Sequence, residues 1–208
     1  MSSDMIQTLF LPQSEGGLEL EERSDRGATD PPRINGVAAV YYDGSRGSQY
    51  QLGPDVVERI APGAFDSVID QDVRAVFNHD PSAVLGRVAA GTLRLELAAG
   101  GLTYSVDPPN TVTGREVTEL IRRGDVDGSS FRFRVAPDGQ TLDRDGELTI
   151  RTITKIRDLV DVGPVTWPAY EATSSATRAA LLDSVRDERR AMIAAEINAR
   201  YEILRCRS

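Results

Sequence analysis

The chain has 208 residues, of which 40% are hydrophobic and 27% charged, proportions typical of a globular domain of ordinary size with its own core. Its formal net charge of -8 argues against nonspecific nucleic-acid binding, because that binding depends on neutralising phosphates. One histidine and one cysteine exclude a structural zinc cluster of the usual Cys/His type. No apolar run approaches the roughly 20 residues needed to cross a bilayer, and we find no secretory signal and no pair of cysteines. We therefore expect a cytoplasmic protein.

The first part of the chain is predicted to be a polar leader followed by strands. Residues 1–30 are polar and acidic, which predicts a flexible leader with one short strand at Ile6–Leu11. The β-branched and aromatic run INGVAAVYY, which follows Arg33, predicts a strand. A short helix is expected over Gly63–Ile69, and Val73–His79 is predicted to be a buried strand that ends at the only histidine.

The middle of the chain contains a hairpin pattern and a helix pattern. TLRLEL and GLTYSV alternate apolar and polar residues on either side of AAGG, which predicts two paired strands. TGREVTELIRRG predicts a helix, because Thr113 and Glu116 have the spacing of a capping box and Gly124 supplies a stop.

The last part of the chain is predicted to contain further strands and a long helix. In the strand SSFRFRV the two phenylalanines share one face, and Ser130, Arg132 and Arg134 share the other. The two arginines either line the cleft or face solvent, and we favour solvent. A turn-rich loop, one or two strands and a long helix over Thr177–Leu204 follow. Six to eight short, mostly antiparallel strands with a few helices indicate a mainly β, α+β fold, in which a barrel or curled sheet is wrapped by helices.

Few residues of the chain could carry out chemistry. The phosphate-binding GxxxxGK[ST] and GxGxxG motifs and the GxSxG elbow of esterases are all absent. A serine nucleophile needs a base within hydrogen-bond reach, and only His79 could supply an imidazole for that role. A carboxylate or a backbone carbonyl would then have to orient His79. On the residues alone, a histidine after a strand and a Gly-Ser-Ser before one are more often ordinary turn residues.

Four segments of the chain, in order, resemble those of the prohead serine proteases of tailed phages. NHDPSAVLGRV is similar to the family's histidine segment, and GDVDGSSFRFRV is similar to the segment around its catalytic serine. DLVDVGPVTWPAY resembles a third signature that begins with an acidic residue. Upstream, INGVAAVYY and ERIAPGAFDSVI resemble the family's opening strand and the turn after it. The likeness extends from about Arg33 to about Arg178.

The resemblance implies a role for each of three residues. His79 matches the family's histidine and Ser130 its serine, so they would be the base and the nucleophile. Asp161 matches the acidic residue and would orient His79, although Asp158 and Glu171 lie nearby in sequence. The resemblance also implies a curled antiparallel β-barrel of the herpesvirus-protease type. The expected domains are a leader (1–30), a protease domain (31–178) and a C-terminal helix or tail (179–208).

The function implied by the resemblance is that of a serine endopeptidase of prohead maturation. Its expected substrates are the scaffolding segment of the major capsid protein and the chain itself, through autocleavage, and a homo-oligomer is a further expectation. No cofactor, metal, membrane or nucleic-acid partner is expected, and the enzyme would act inside the assembling prohead in the host bacterial cytoplasm. Two alternatives stay open: a non-catalytic capsid assembly or scaffolding module of the same fold, and a hydrolase that acts on something other than protein.

Overall fold

The strands of the protein form three sheets that enclose the core. The computed structural model describes residues 5–10, 17–22, 27, 30–166 and 175–205, and within them it contains thirteen strands and two α-helices. The first sheet has the order β1-β10-β13-β6-β7. Its strands are β1 (Gln7–Phe10), β6 (Arg74–Val76), β7 (Val84–Arg87), β10 (Gly128–Val135) and β13 (Ile156–Val165).

The other two sheets have four strands each. One has the order β11-β12-β5-β4 and the other the order β2-β3-β9-β8. The strands of the former are β4 (Tyr50–Gly53), β5 (Val56–Ile60), β11 (Gln140–Asp145) and β12 (Leu148–Ile153). Those of the latter are β2 (Leu18–Glu21), β3 (Arg33–Val40), β8 (Leu93–Ala98) and β9 (Gly101–Val106).

The alternation of side chains in β10 packs one face of this strand into the core. Phe131 and Phe133 are fully buried and their rings stack with centroids 5.0 Å apart, while Phe65 contacts Phe131 edge-on at 5.7 Å. Burying each phenylalanine contributes about 1.5–3 kcal/mol. Because successive residues of a strand point to opposite faces, this anchoring directs Ser130 and Arg132 to the opposite face of the sheet.

Helix α1 (Val112–Arg123) confirms the predicted interior helix, but its first turn differs from the prediction. Thr111, not Thr113, is the N-cap, and its side chain accepts a hydrogen bond from the Gly114 amide. Thr113 is already inside the helix, so the predicted capping box is wrong. Gly124 ends the helix in the left-handed conformation (φ 76°), as predicted.

Helix α2 (Ser175–Arg205) matches the predicted long C-terminal helix. Val185 is buried in the core, and Arg186 Nη2 donates to Asp55 Oδ1 at 2.8 Å, which ties the helix to the β4–β5 connection. Neither helix in the described part of the chain is long and apolar enough to span a membrane.

Several local predictions are wrong. Residues 62–70 form successive turns in place of a helix, with Gly63 at φ 85° and i→i+3 backbone bonds such as Val68 N–H to Phe65 C=O. The strand predicted over Val73–His79 ends at Val76. The turn-rich loop before β12 contains β11. In the leader, β1 falls within the predicted Ile6–Leu11 strand, whereas β2 was not predicted.

The mainly β, α+β class is confirmed, but no closed barrel is found among the described strands. Each of the three sheets keeps two edge strands, so no ladder closes on itself. The tally of six to eight strands was too low, and two of the ladders, β12–β5 and β13–β6, are parallel. The herpesvirus-protease type of fold and the domain limits stay predictions from the resemblance.

Candidate active site

The only histidine lies in a tight turn at the end of β6. Phe77–His79 forms a single 3₁₀ turn in which Asn78 (φ 52°) and His79 (φ 57°) both have left-handed backbone, a conformation that is uncommon outside glycine but tolerated by asparagine. The Asn78 amide holds the turn in place, because its Nδ2 donates to Thr166 Oγ1 at 2.9 Å and its Oδ1 accepts from the Thr166 amide at 2.8 Å. The histidine turn is thus fastened to the end of β13.

The order of strands β10, β13 and β6 brings the predicted site residues onto neighbouring strands. In the antiparallel β10–β13 ladder, Ser130 lies opposite Gly163 and Arg132 lies opposite Asp161. In the parallel β13–β6 ladder, Asp161 pairs with Arg74. Because directly opposed residues of an antiparallel pair share a face, the serine and the aspartate are on the same side of the sheet, next to the turn that follows β6.

Gly163 allows β13 to approach the histidine turn closely. A Cβ atom at this position would collide with the carbonyl oxygen of Val76, the last residue of β6. Only glycine lacks that atom, so a glycine is required where the two strands meet beside the site.

The side chains of Ser130, His79 and Asp161 form a continuous chain of hydrogen bonds. His79 Nδ1 lies 2.6 Å from Asp161 Oδ1, and His79 Nε2 lies 2.7 Å from Ser130 Oγ. Ser130 is fully buried, and the side chains of Asp161 and His79 are 4% and 13% exposed. A carboxylate against Nδ1 holds the proton on that nitrogen, which leaves Nε2 free to accept the serine proton.

Arg132 is a site residue that the sequence interpretation assigned wrongly. We favoured solvent over the cleft for this side chain, but its Nε donates to Asp161 Oδ2 at 2.7 Å and its Nη2 donates to the same oxygen. The cause is its position two residues after Ser130 on the same face and directly opposite Asp161. The alternation of the strand already indicated that Arg132 shares a face with Ser130. Arg134 is 29% exposed and pairs with Asp158 at 3.6 Å.

Two other acidic residues near the site in sequence, Asp158 and Asp80, have different partners. Asp158 contacts Arg134 and Arg157. Glu171 lies outside the described residues. Asp80 Oδ1 accepts hydrogen bonds from the hydroxyl and amide of Ser82, which lower the pKa of Asp80.

Ser129, beside Ser130, contacts Tyr104 and not the histidine. Its hydroxyl donates to the Tyr104 hydroxyl at 3.1 Å, and burial raises the pKa of Tyr104. Of the two adjacent serines, only Ser130 contacts His79 in the described part of the chain. Within the same residues, no group of three or more His, Cys, Asp or Glu side chains could hold a metal ion.

Comparison with known proteins assigns this chain to a family. The family model described as caudovirus prohead serine protease matches residues 18–188. The chain belongs to this family. The match covers most of the chain, including the segments that contain Ser130, His79 and Asp161. The family is one of serine proteases, as the resemblance predicted.

The chain was also compared with solved structures and with curated proteins. Among solved structures, the prohead protease family member described here is similar to the capsid assembly protease of bacteriophage T4, with 12% sequence identity and a TM-score of 0.45. The similarity covers 77% of this chain and 97% of that chain. No curated protein matches the sequence. The family assignment rests on the family model.

Proposed function

We propose that the chain is a serine endopeptidase of prohead maturation in which Ser130 is the nucleophile, His79 the general base and Asp161 the group that orients His79. The observation that carries this proposal is the unbroken contact from Ser130 Oγ through the His79 ring to Asp161, at 2.7 and 2.6 Å. A nucleophile, a base and an orienting group in hydrogen-bond reach are what acyl transfer by serine requires.

The proposed reaction proceeds through an acyl-enzyme. Ser130 Oγ attacks the scissile carbonyl carbon while its proton passes to His79 Nε2. The C–N bond then breaks, and the imidazolium returns the proton to the leaving amine. A water molecule repeats the sequence on the ester and restores Ser130. Asp161 keeps the proton on Nδ1 throughout and stabilises the imidazolium by its charge.

Arg132 supports the same geometry from the far side of the carboxylate. Its two hydrogen bonds occupy Asp161 Oδ2 and leave Oδ1 for His79. A charged fork restricts the rotation of a carboxylate more than a single neutral donor would. We assign Arg132 as a positioning residue, since it touches neither the serine nor the imidazole in these contacts.

The substrates that we propose are the scaffolding segment of the major capsid protein and the chain itself. Membership of a prohead protease family supports this choice, and it would place the enzyme inside the assembling prohead in the host cell. No observation at the site favours a non-catalytic assembly module, because such a module would not need a buried serine in contact with an oriented imidazole.

Co-expression with the phage's own major capsid protein tests the proposal. Ser130→Ala should abolish cleavage, because loss of a catalytic serine typically costs a factor on the order of 10⁶ in kcat. Ser129→Ala is the matched control: it removes the adjacent hydroxyl, which contacts Tyr104, and should leave cleavage in place. Capsid protein that stays uncut by the wild-type chain, or that Ser130→Ala still cuts, would contradict the assignment.

A further inference from the structure

The histidine turn lies beyond the last backbone pair between β6 and β13. The parallel ladder between these two strands ends with Ala75 opposite Val162, before the turn at Phe77–His79 begins. Strand β13 continues past this point and pairs there with β10, and its Pro164 has no N–H to donate. Backbone pairing in this ladder therefore stops short of the turn that carries the proposed base.

The Asn78 side chain makes the link that the ladder does not. Its primary amide has both a donor and an acceptor, as a peptide group has. Both contact one residue, because Nδ2 donates to Thr166 Oγ1 at 2.9 Å and the Thr166 amide donates to Oδ1 at 2.8 Å. Thr166 directly follows β13. These two bonds, which we call the clasp, join the residue before His79 to the strand that carries Asp161.

The clasp holds a turn whose backbone is under strain. Asn78 and His79 have φ angles of 52° and 57°, and non-glycine residues persist in this left-handed region only where surrounding contacts enforce it. Two backbone bonds of the turn, from Phe77 N–H to Ala83 C=O and from Asp80 N–H to Phe77 C=O, close it on itself. Neither bond joins the turn to β13. The clasp supplies that connection.

The proposed reaction requires His79 to keep its place while its contact with Ser130 changes. The ring spans two strands, with Nδ1 2.6 Å from Asp161 on β13 and Nε2 2.7 Å from Ser130 on β10. In the acyl-enzyme the serine oxygen is esterified and has no proton to donate, so this contact cannot hold the ring through the whole cycle. The clasp touches neither the serine nor the imidazole, so it can hold the turn while the proton moves.

We propose that Asn78 is a positioning residue of the reaction: through the clasp, it keeps the His79 ring in contact with the nucleophile and the carboxylate. This inference rests on the proposed function. Both hydrogen bonds of the clasp lie at the surface, where water competes for the same groups. The effect of losing the clasp should therefore be smaller than that of losing Asp161.

Cleavage of the phage's own major capsid protein by clasp variants tests the effect on rate. Asn78→Gly removes both hydrogen bonds and still adopts left-handed backbone with ease, so kcat per folded molecule should fall by about tenfold with KM unchanged. Asn78→Ala also disfavours that backbone and should lose about 10². Thr166→Val removes only the hydroxyl and should lose less than Asn78→Gly. Thr166→Ser keeps the hydroxyl and should cut at the wild-type rate.

Two further variants show whether the loss comes from the clasp. The double variant Asn78→Gly and Thr166→Val should lose no more than Asn78→Gly alone, because the two residues act through one contact. Ser82→Ala is the matched control. The Ser82 hydroxyl donates to Asp80 Oδ1 at 2.6 Å, an exposed bond in the same β6–β7 connection that does not reach β13. This variant should cut at the wild-type rate.

The position of the imidazole can be measured without activity, because His79 is the only histidine of the chain. In the Ser130→Ala background, which removes the proposed nucleophile, nuclear magnetic resonance of a histidine-labelled chain should show one downfield Nδ1–H signal from the bond to Asp161. Adding Asn78→Gly should broaden or remove this signal, and adding Ser82→Ala should not. A merely structural role of Asn78 would lower the Tm and leave the signal of the folded chain unchanged.

The outcomes distinguish the positioning role from the proposed function. A tenfold loss in kcat at unchanged KM, together with loss of the Nδ1–H signal, supports the positioning role. If Asn78→Gly cuts at the wild-type rate and keeps the signal, the inference is wrong while the proposed function stands. If Ser82→Ala loses as much as Asn78→Gly, the turn as a whole matters and not the clasp. If the wild-type chain leaves its capsid protein uncut, the proposed function fails and the positioning role fails with it.

Discussion

In two arginine–carboxylate pairs of the described chain, a buried carboxylate lies directly opposite its arginine on a neighbouring strand. Arg132 and Asp161 face each other across β10 and β13, and Arg151 and Glu58 across β12 and β5. The Asp161 and Glu58 side chains are 4% and 0% exposed. Removing a charge from water costs several kcal/mol per ion unless partners replace the water, so the partners of each pair determine what the pair can do.

The two carboxylates differ in how their second oxygen is used. Asp161 gives Oδ2 to Arg132 and Oδ1 to His79. Glu58 gives Oε2 to Arg151, but its Oε1 has no hydrogen-bond partner in the described part of the chain. Burial raises the pKa of Glu58. Asp161 thus holds a fixed carboxylate oxygen against a histidine, whereas Glu58 contacts no candidate catalytic group in the described part of the chain.

The arginines differ in a complementary way. Arg132 donates to Asp161, and its side chain is 27% exposed. Arg151 is almost fully buried and also donates to Gln7 of β1 and Gln140 of β11. Gln140 in turn donates to Glu188 of helix α2. The same pairing of strands therefore supports a candidate catalytic group in one place and a structural junction in the other.

Among the variants of the two buried pairs, the largest expected effect on activity comes from Asp161→Asn. The amide would remove the charge that holds the His79 proton on Nδ1, and the serine-protease precedent gives a loss of about 10⁴ in kcat. Single-turnover cleavage of capsid protein measures the effect. Asp158→Asn is the control, because Asp158 pairs only with arginines in the described contacts. Asp161→Asn that cuts at the wild-type rate would pass the orienting role to another group.

The Glu58 pair should affect stability where the Asp161 pair affects rate. Glu58→Gln leaves the buried Arg151 guanidinium without its counter-charge, and breaking a buried pair from one side costs about 3–5 kcal/mol. Urea unfolding measures the loss, and kcat per folded molecule should not change. Replacing both Glu58 and Arg151 by methionine should recover most of the stability. A fall in kcat of the folded fraction would show that the Glu58–Arg151 pair also affects the candidate active site.

Arg132→Met sharpens the comparison from the side of the cation. With Asp161 free to rotate, His79 should lose its fixed orientation. A misplacement of a catalytic group by about 1 Å costs about 10² in rate. We expect the loss in kcat with KM unchanged, and partial rescue by Arg132→Lys. Arg134→Met, at the next position on the same face, is the matched control. Equal loss from Arg134→Met would mean that general positive charge, and not the contact with Asp161, matters.

The parts of the fold that sequence could predict are those governed by local pattern. The β8–β9 hairpin followed from alternation around a short glycine turn, and its pairing is confirmed. Helix α1 followed from its apolar face and its Gly124 stop. The resemblance indicated Ser130, His79 and Asp161, and the structure brings these three side chains into contact.

The parts that sequence missed depend on pairing between distant segments. Nothing local to Gln7–Phe10 indicates that it pairs with β10 or that Leu9 contacts the serine 121 residues away. The partner of Arg132 depends on the register between β10 and β13, which two irregularities shift along the ladder. The left-handed backbone of Asn78 and His79 depends on the bonds to Thr166. Strand register is set by such tertiary contacts more than by propensity.

The smallest expected effect is at a third arginine–carboxylate pair, which lies near the surface. Arg186 Nη2 donates to Asp55 Oδ1 at 2.8 Å, and the two side chains are 37% and 35% exposed. Water solvates both groups, so such pairs contribute little, and Asp55→Asn should lower the Tm at neutral pH far less than Glu58→Gln does. Thermal unfolding of the two variants beside the wild-type chain makes that comparison directly.

The stabilisation by Asp55 should also depend on pH, and the direction of its pKa shift determines how. The hydrogen bond from Arg186 lowers the pKa of Asp55 below its ordinary value, which is about 3.9 in the unfolded chain. Because the folded pKa is the lower one, the contribution of Asp55 is present above the unfolded value and is lost as the pH falls through the folded value. The Tm difference between Asp55→Asn and the wild-type chain should therefore be largest at neutral pH and vanish in acid. A difference at neutral pH as large as that of Glu58→Gln would show that α2 is held by this contact, and that exposure does not separate the pairs in this fold.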